Sequence, residues 1–224
     1  MINPQNNKNV VRHIEIKAYV DDYQSLCARV SSLASQRSNS SEGCATSKLA
    51  NGMRSVSRVV DTPIDRVQDD TFFHCRSGRL KLRSSGQFHD LIYYRRENDY
   101  GPSESFYQSA PTKNPAALRT SLTSAFGQAG RVKKFRRTYR VGGSTIHLDR
   151  VGGLGDFIEI KVELTAPETP PTANSGIFSP ALEPTCSVKK GARMVESLMS
   201  ALEIDLFQLV DGAYIDLINE RGPA

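Results

Sequence analysis

The chain has 224 residues, 38% hydrophobic and 24% charged, enough apolar material for one substantial core and too much for a globally disordered chain. Twenty-nine Lys and Arg against 24 Asp and Glu leave a formal net charge of +5, a surplus too small to name a partner by itself. No apolar run approaches the roughly 18 residues that span a bilayer, and the polar stretch Met1–Asn7 predicts no secretory signal.

In chain order, Val10 to Val20 alternates Ile14, Ile16, Ala18 and Val20 with His13, Glu15, Lys17 and Tyr19, the period of a strand. Asp21 or Asp22 then caps a helix carrying Leu26, Val30 and Leu33. Residues from about 35 to 58 are rich in Ser, Asn and Gly without periodicity and predict a flexible insertion. Short strands follow over Asp70 to Cys75, Arg79 to Ser84 and Asp90 to Arg96. Asn114-Pro115 opens a second helix with Leu118, Leu122, Ala125 and Phe126 on one face, stopped by Gly127 and Gly130. Three more strands, Arg131 to Val141, Ser144 to Arg150 and Phe157 to Thr165, are joined by Gly142-Gly143 and by Gly152-Gly153-Leu154-Gly155. The second glycine cluster opens no helix, so it is not a dinucleotide fingerprint. A Pro-rich loop over about 166–187 precedes helices at Lys190 to Leu202 and Ala213 to Leu217. The fold class predicted is α+β, with mostly antiparallel strands.

The motifs of several enzyme classes are missing. There is no P-loop, no GxSxG elbow and no HExxH. Cys27, Cys44, Cys75 and Cys186 form no CxxC and no zinc spacing, which predicts reduced thiols in a cytoplasmic protein. His74 and Cys75 are neighbours on a predicted strand, face opposite sides and cannot form a dyad.

Strand parity is more informative. Glu15 and Lys17 share a face, as do Lys81 and Arg83, Lys134, Arg136 and Arg140, His147 and Asp149, and Glu159, Lys161 and Glu163, each opposite an apolar row. Two readings are open. An antiparallel sheet can simply expose its charged face to water. Alternatively the helices cover the apolar faces and the charged side closes on itself, making a site for a multiply charged anion with its metal.

At these residues the chain resembles the CYTH domain family, the triphosphate tunnel metalloenzymes. Ile14-Glu15-Ile16-Lys17 resembles the family's opening ExExK signature. Asp70-Thr71-Phe72-Phe73, Leu80-Lys81-Leu82-Arg83, Leu91-Ile92-Tyr93-Tyr94-Arg95 and Val132-Lys133-Lys134-Phe135-Arg136-Arg137 are similar to its later strands in the same order. Ile146-His147-Leu148-Asp149-Arg150-Val151-Gly152-Gly153-Leu154-Gly155-Asp156-Phe157-Ile158-Glu159 resembles a stretch of the class IV adenylyl cyclase branch, and Ala213-Tyr214-Ile215-Asp216-Leu217 fits that branch's C-terminus.

The resemblance implies a single domain over residues 1–224, a closed or nearly closed tunnel of about eight antiparallel strands with flanking helices. It implies triphosphate binding by Lys17, Arg83, Arg95, Lys134 and Arg136, with Lys81 added by its parity. Glu15, Asp149 and Glu159 would hold Mg²⁺ or Mn²⁺, with Lys17 and Glu159 as the catalytic pair. The partner expected is a small-molecule triphosphate (tripolyphosphate, thiamine triphosphate or ATP), with no membrane and no nucleic acid; the oligomeric state is left open, a homodimer being one option. Hydrolysis of the triphosphate is the first expectation. Cyclisation of ATP to cyclic AMP and pyrophosphate, and a binding module with little turnover, are the alternatives. Two departures bear on that choice: His13 stands at the first Glu of ExExK, and Lys161 at the second acidic position of the late ExE pair. Phe106 and Thr145 also stand where basic residues are expected. His13 and Lys161 thin the acidic side, while the main cation supply survives.

Overall fold

Alternation with a period of two produces a barrel whose hydrophobic core lies outside it. The computed structural model describes residues 10–40, 62–96, 101–164 and 187–222. Strands β1 (Val10–Tyr19), β2 (Ile64–Phe73), β3 (Arg79–Ser85), β4 (Phe88–Arg96), β5 (Ser103–Pro111), β6 (Gln128–Val141), β7 (Ser144–Val151) and β8 (Gly155–Leu164) are all antiparallel to their neighbours. They close in the order β1-β5-β4-β3-β2-β6-β7-β8. Gly142 and Gly143 both take positive φ, 53° and 80°, as a two-residue hairpin turn matched to strand twist requires.

Ile14, Ile16 and Ala18 of β1, Ile146 and Leu148 of β7, and Ile158, Ile160 and Val162 of β8 are buried under two helices, α1 (Tyr23–Ser40) and α3 (Val188–Ala201). Each of these Ile, Leu and Val side chains contributes roughly 1.5–3 kcal/mol, so this outer layer is a dominant stabilising element. Helix α1 starts where the Asp22 carboxylate accepts the Ser25 N–H at 2.9 Å, and it buries Tyr23, Leu26, Val30 and Ala34. Helix α3 starts at Ser187, whose hydroxyl accepts the Lys190 N–H. It comes so close to β1 that a Cβ on Gly191 would stand 3.0 Å from Ile14 Cγ1.

A second apolar cluster closes one end of the barrel. Tyr214 and Ile215 of α4 (Tyr214–Arg221) pack there with Phe72, Val132, Leu154 and Phe157. The Phe157 and Tyr214 rings meet edge-to-face at 5.0 Å between centroids.

The structure departs from the sequence expectation in four places. Strand β5 was not anticipated: its inward residues include Ser103 and Ser105, and the exposed Phe106 lies on its outer face, so no apolar row marks it. Helix α1 continues through Ser40 into the predicted insertion; the rest of that insertion and nearly all of the Pro-rich loop lie outside the described residues. Strand β2 begins at Ile64 and ends at Phe73, so His74 and Cys75 follow it rather than forming its last two residues. Helix α2 (Pro115–Phe126) is capped by Asn114 and starts on Pro115 as expected, yet buries no residue, and Phe126 is exposed. No helix among the described residues is long and apolar enough to cross a membrane.

Candidate functional site

With the aliphatic rows turned outward, parity sends the charged rows into the barrel. One cavity of about 710 Å³, its mouth included, is lined by Lys17, Arg79, Lys81, Arg83, Arg96, Lys134, Arg136 and Lys161 against the carboxylates of Glu15, Asp70 and Glu159. Tyr94, Tyr107 and Tyr214 complete the wall, and Gly212 and Ala213 cover the α4 end. An adjoining cavity shares His13, Arg83, Tyr107, Arg136 and Lys161 and continues past Arg66, Phe88, Thr145 and His147.

Two clamps of the same design hold the cations. Lys81 and Arg83 are alternate residues of β3, and Asp70 stands opposite Arg83 on β2. The Asp70 carboxylate accepts Lys81 Nζ at 3.0 Å and Arg83 Nε and Nη2 at 2.7 Å each. Lys134 and Arg136 are alternate residues of β6, and Asp149 stands opposite Arg136 on β7. The Asp149 carboxylate accepts Lys134 Nζ at 3.0 Å, Arg136 Nε at 2.6 Å, Arg136 Nη2 at 2.5 Å and the Tyr214 hydroxyl at 2.8 Å. Burial opposes ionisation of both carboxyls, but Lys81 and Arg83 hold Asp70, and Arg136 and Lys134 hold Asp149, far below the usual carboxylate range. Each Asp thus fixes a Lys and an Arg in position before any ligand arrives.

A third group joins β1 to β8. Both strands read Glu-Ile-Lys, Glu15-Ile16-Lys17 and Glu159-Ile160-Lys161, and they pair antiparallel about Ile16 and Ile160. Glu15 therefore faces Lys161, and Lys17 faces Glu159. Lys161 Nζ lies 3.1 Å from Glu15 Oε2 and 3.7 Å from Glu159 Oε2. Arg136 Nη2 donates to Glu159 at 2.6 Å, and Arg96 Nε stands 3.7 Å from Glu15. Lys17 donates to the Gly212 carbonyl at 2.6 Å and lies 4.2 Å from the Tyr214 ring centroid.

Burial and mutual repulsion lower the lysines. Lys81 falls to about 7, through burial and then the Arg83 charge. Lys17 and Lys134 fall to about 8, each mainly by burial, with Arg96 adding to Lys17 and Arg136 to Lys134. His147 is driven well below its ordinary value by burial, Arg136 and Lys161, so it is neutral, and its Nδ1 is 3.0 Å from the Thr138 hydroxyl. An anion in the tunnel favours the charged lysines, so binding takes up protons wherever the empty site has lost them. Affinity for tripolyphosphate should therefore be highest below about pH 7 and fall by roughly tenfold or more by pH 9. Titration calorimetry at the two pH values checks this; a flat profile would contradict it.

Of the residues expected from the sequence, Glu15, Lys17, Lys81, Arg83, Lys134, Arg136 and Glu159 converge on the cavity. Asp149 is fully buried behind its wall, bonded to Lys134, Arg136 and Tyr214. Arg95 is exposed on the outer face, 5.5 Å from the Phe106 ring centroid, and the β4 cation inside the barrel is Arg96. The run Leu91-Ile92-Tyr93-Tyr94 has no polar alternation, so parity gave no hint of which arginine points inward. Asp70 and Arg79 were also missed as site residues; Asp70 has the parity of Phe72, and Arg79 that of Lys81. Phe106 is outside, so it takes no basic residue's place in the tunnel.

The CYTH domain family matches residues 54–181, more than half of the chain. The chain belongs to the CYTH domain family. The solved structure of the PH1012 protein from Pyrococcus horikoshii OT3 is similar, with a TM-score of 0.63 at 18% identity over 92% of this chain and 98% of that one. A conserved hypothetical protein from Pyrococcus furiosus gives 0.61 at 15% identity over 92% and 99%. A provisionally assigned adenylate cyclase from Vibrio parahaemolyticus gives 0.57 at 12% identity over 92% and 97%. These likenesses establish the CYTH tunnel fold. No curated protein matches the chain.

CYTH proteins are generally divalent-metal dependent. The donor set here does not fit such an ion. Among the described residues no group of three or more His, Cys, Asp and Glu is placed to hold a metal. Asp149 is saturated by cations and a hydroxyl, and a lysine ammonium stands between Glu15 and Glu159.

Proposed function

We propose that this CYTH protein binds the triphosphate group of a small molecule inside its barrel. One observation carries the reading: eight Lys and Arg side chains surround a single cavity, and four of them are held in Lys-x-Arg pairs by buried aspartates. Lysine point charges and arginine forks are the groups that take phosphate oxygens. A linear polyanion is the ligand whose charge is spread along a tunnel. Arg83, Lys81, Lys134 and Arg136 would hold its oxygens, with Lys17 and Arg96 on the β1 and β4 walls. Tripolyphosphate, thiamine triphosphate and ATP share that group.

Because the carboxylates do not fit a divalent ion, binding stands ahead of turnover. Hydrolysis is the turnover reading ahead of cyclisation. It needs only water beside an anion whose charge is neutralised, whereas cyclisation needs a ribose 3′-hydroxyl aligned on the α-phosphate.

The test presents purified protein with tripolyphosphate, thiamine triphosphate and ATP, each with and without Mg²⁺ or Mn²⁺, reading heat of binding and products. Saturable one-to-one binding of at least one of them is expected. Released phosphate adds a triphosphatase activity, and cyclic AMP with pyrophosphate adds a cyclase activity instead. Absence of binding to all three under every condition would overturn the proposal.

A further inference from the structure

We infer that Lys161 serves as a built-in cation in place of a divalent metal, so that the tunnel takes its triphosphate as the metal-free anion. The ligand in this statement rests on the function proposed above; the metal side of it does not. The starting point is strand pairing. Identical Glu-Ile-Lys triplets on β1 and β8 run antiparallel about Ile16 and Ile160, which sets each Glu across from a Lys. With Glu159 two residues from Lys161 on the same face, the Lys161 ammonium lies within ion-pair reach of both Glu15 and Glu159. These are the two carboxylates of the cavity that do not belong to an Asp clamp.

A divalent ion at that point would need their oxygens together with an empty position between them. It finds an ammonium there, with Arg96 at the other oxygen of Glu15 and Arg136 at the same Glu159 oxygen that Lys161 approaches. Mg²⁺ also gives up its water reluctantly and seeks a near-octahedral oxygen shell, and two carboxylates already shared among three cations do not supply one. Adding a doubly charged ion to a wall of eight cations brings further repulsion in a low-dielectric space.

Lys161 is placed as a resident counter-ion, its ammonium 3.1 Å from Glu15 and 3.7 Å from Glu159 inside the cavity.

The consequence for the ligand is selectivity for form. A triphosphate complexed with Mg²⁺ arrives with part of its charge already neutralised and with a cation directed at the wall. The free anion arrives with all its oxygens available to Arg83, Lys81, Lys134 and Arg136.

The experiment has two arms. In the first, Mn²⁺ alone is titrated into chelator-treated wild type, Lys161→Glu and Lys161→Gln, followed by calorimetry and by the electron paramagnetic resonance of free Mn²⁺. Wild type is expected to show no saturable site in the micromolar range. Lys161→Glu, which supplies a third carboxylate, should bind Mn²⁺ roughly tenfold or more tightly than wild type, with Lys161→Gln between them. A stoichiometric micromolar Mn²⁺ site in wild type would overturn the inference whether or not either variant folds. In the second arm, tripolyphosphate is titrated into wild type with a chelator and again with Mg²⁺ in excess. Binding with the chelator present, weakened when Mg²⁺ is added, is the expected result. Binding that requires Mg²⁺ would overturn the inference and leave the triphosphate reading standing. No binding in either condition would overturn both the triphosphate reading and the ligand half of the inference.

Discussion

Arg83→Ala should weaken tripolyphosphate binding by roughly 10- to 100-fold, because one charge-assisted hydrogen bond is worth about 1.5–3 kcal/mol and 1.4 kcal/mol is a factor of ten. Its guanidinium is bonded by two nitrogens to Asp70, which leaves the rest of the fork directed at the cavity in a fixed orientation. Arg83→Lys would keep the charge without the fork and should recover only part of the loss. The comparison that gives this result meaning lies on β4. Arg95→Ala should leave affinity within about twofold, since Arg95 is exposed against Phe106 outside the barrel and long-range charge is screened there. Arg96→Ala should weaken it, since Arg96 lines the cavity beside Glu15. Equilibrium titration of the four variants under one buffer condition decides the matter; equal losses for Arg95→Ala and Arg96→Ala would contradict the register of β4.

Asp149→Ala should destabilise the fold by about 3–5 kcal/mol, the cost of breaking a buried ion pair and leaving its partner charges uncompensated. Asp149 is fully buried and accepts from Lys134, Arg136 and Tyr214, so its removal takes the buried carboxylate from both cations and the hydroxyl at once, leaving Arg136 only Glu159. For a chain of this length that loss corresponds to a fall in Tm of about 6–20 °C. Asp65→Ala provides the contrast: Asp65 pairs with Arg137 on the outer surface, its side chain 40% exposed, and such pairs contribute about 0–1 kcal/mol. Thermal melts in the presence of a chelator also separate two roles. A carboxylate serving only as a metal ligand is a burden in metal-free protein, and its loss would be neutral or stabilising. A carboxylate that clamps Lys134 and Arg136 is needed with or without metal. A melt of Asp149→Ala unchanged from wild type would contradict the clamp.

Much of this was legible in the sequence because the physical signal was one of parity. The isoleucines of β1 and β8 and the charges between them dictated which face met the helices, and the structure places both rows as alternation requires. The signal failed where alternation failed. Strand β5 has serines facing the tunnel and an exposed Phe106 on its outer face, so neither row is apolar enough to be seen. In β4 four apolar or aromatic residues stand in a row, and the choice between Arg95 and Arg96 depends on register with β3 and β5, which a single strand does not carry. The charge balance of the site was hidden for a related reason. Lys161 read alone is a lost carboxylate; paired with β1 it is the complement of Glu15. Likewise Asp149 read alone suggests a metal ligand, and only its partners across the β6–β7 ladder show that its lone pairs are already taken. A modest surplus over the whole chain thus conceals eight cations around one cavity.

Diffraction from crystals grown with tripolyphosphate and a chelator would locate the anion. The phosphate chain is expected inside the barrel, with oxygens in hydrogen-bond reach of Arg83 and Arg136 and of the Lys81 and Lys134 ammonium groups. A tripolyphosphate bound only to the outer surface, against residues such as Arg137 or Arg131, with the tunnel empty of phosphate, would contradict this placement.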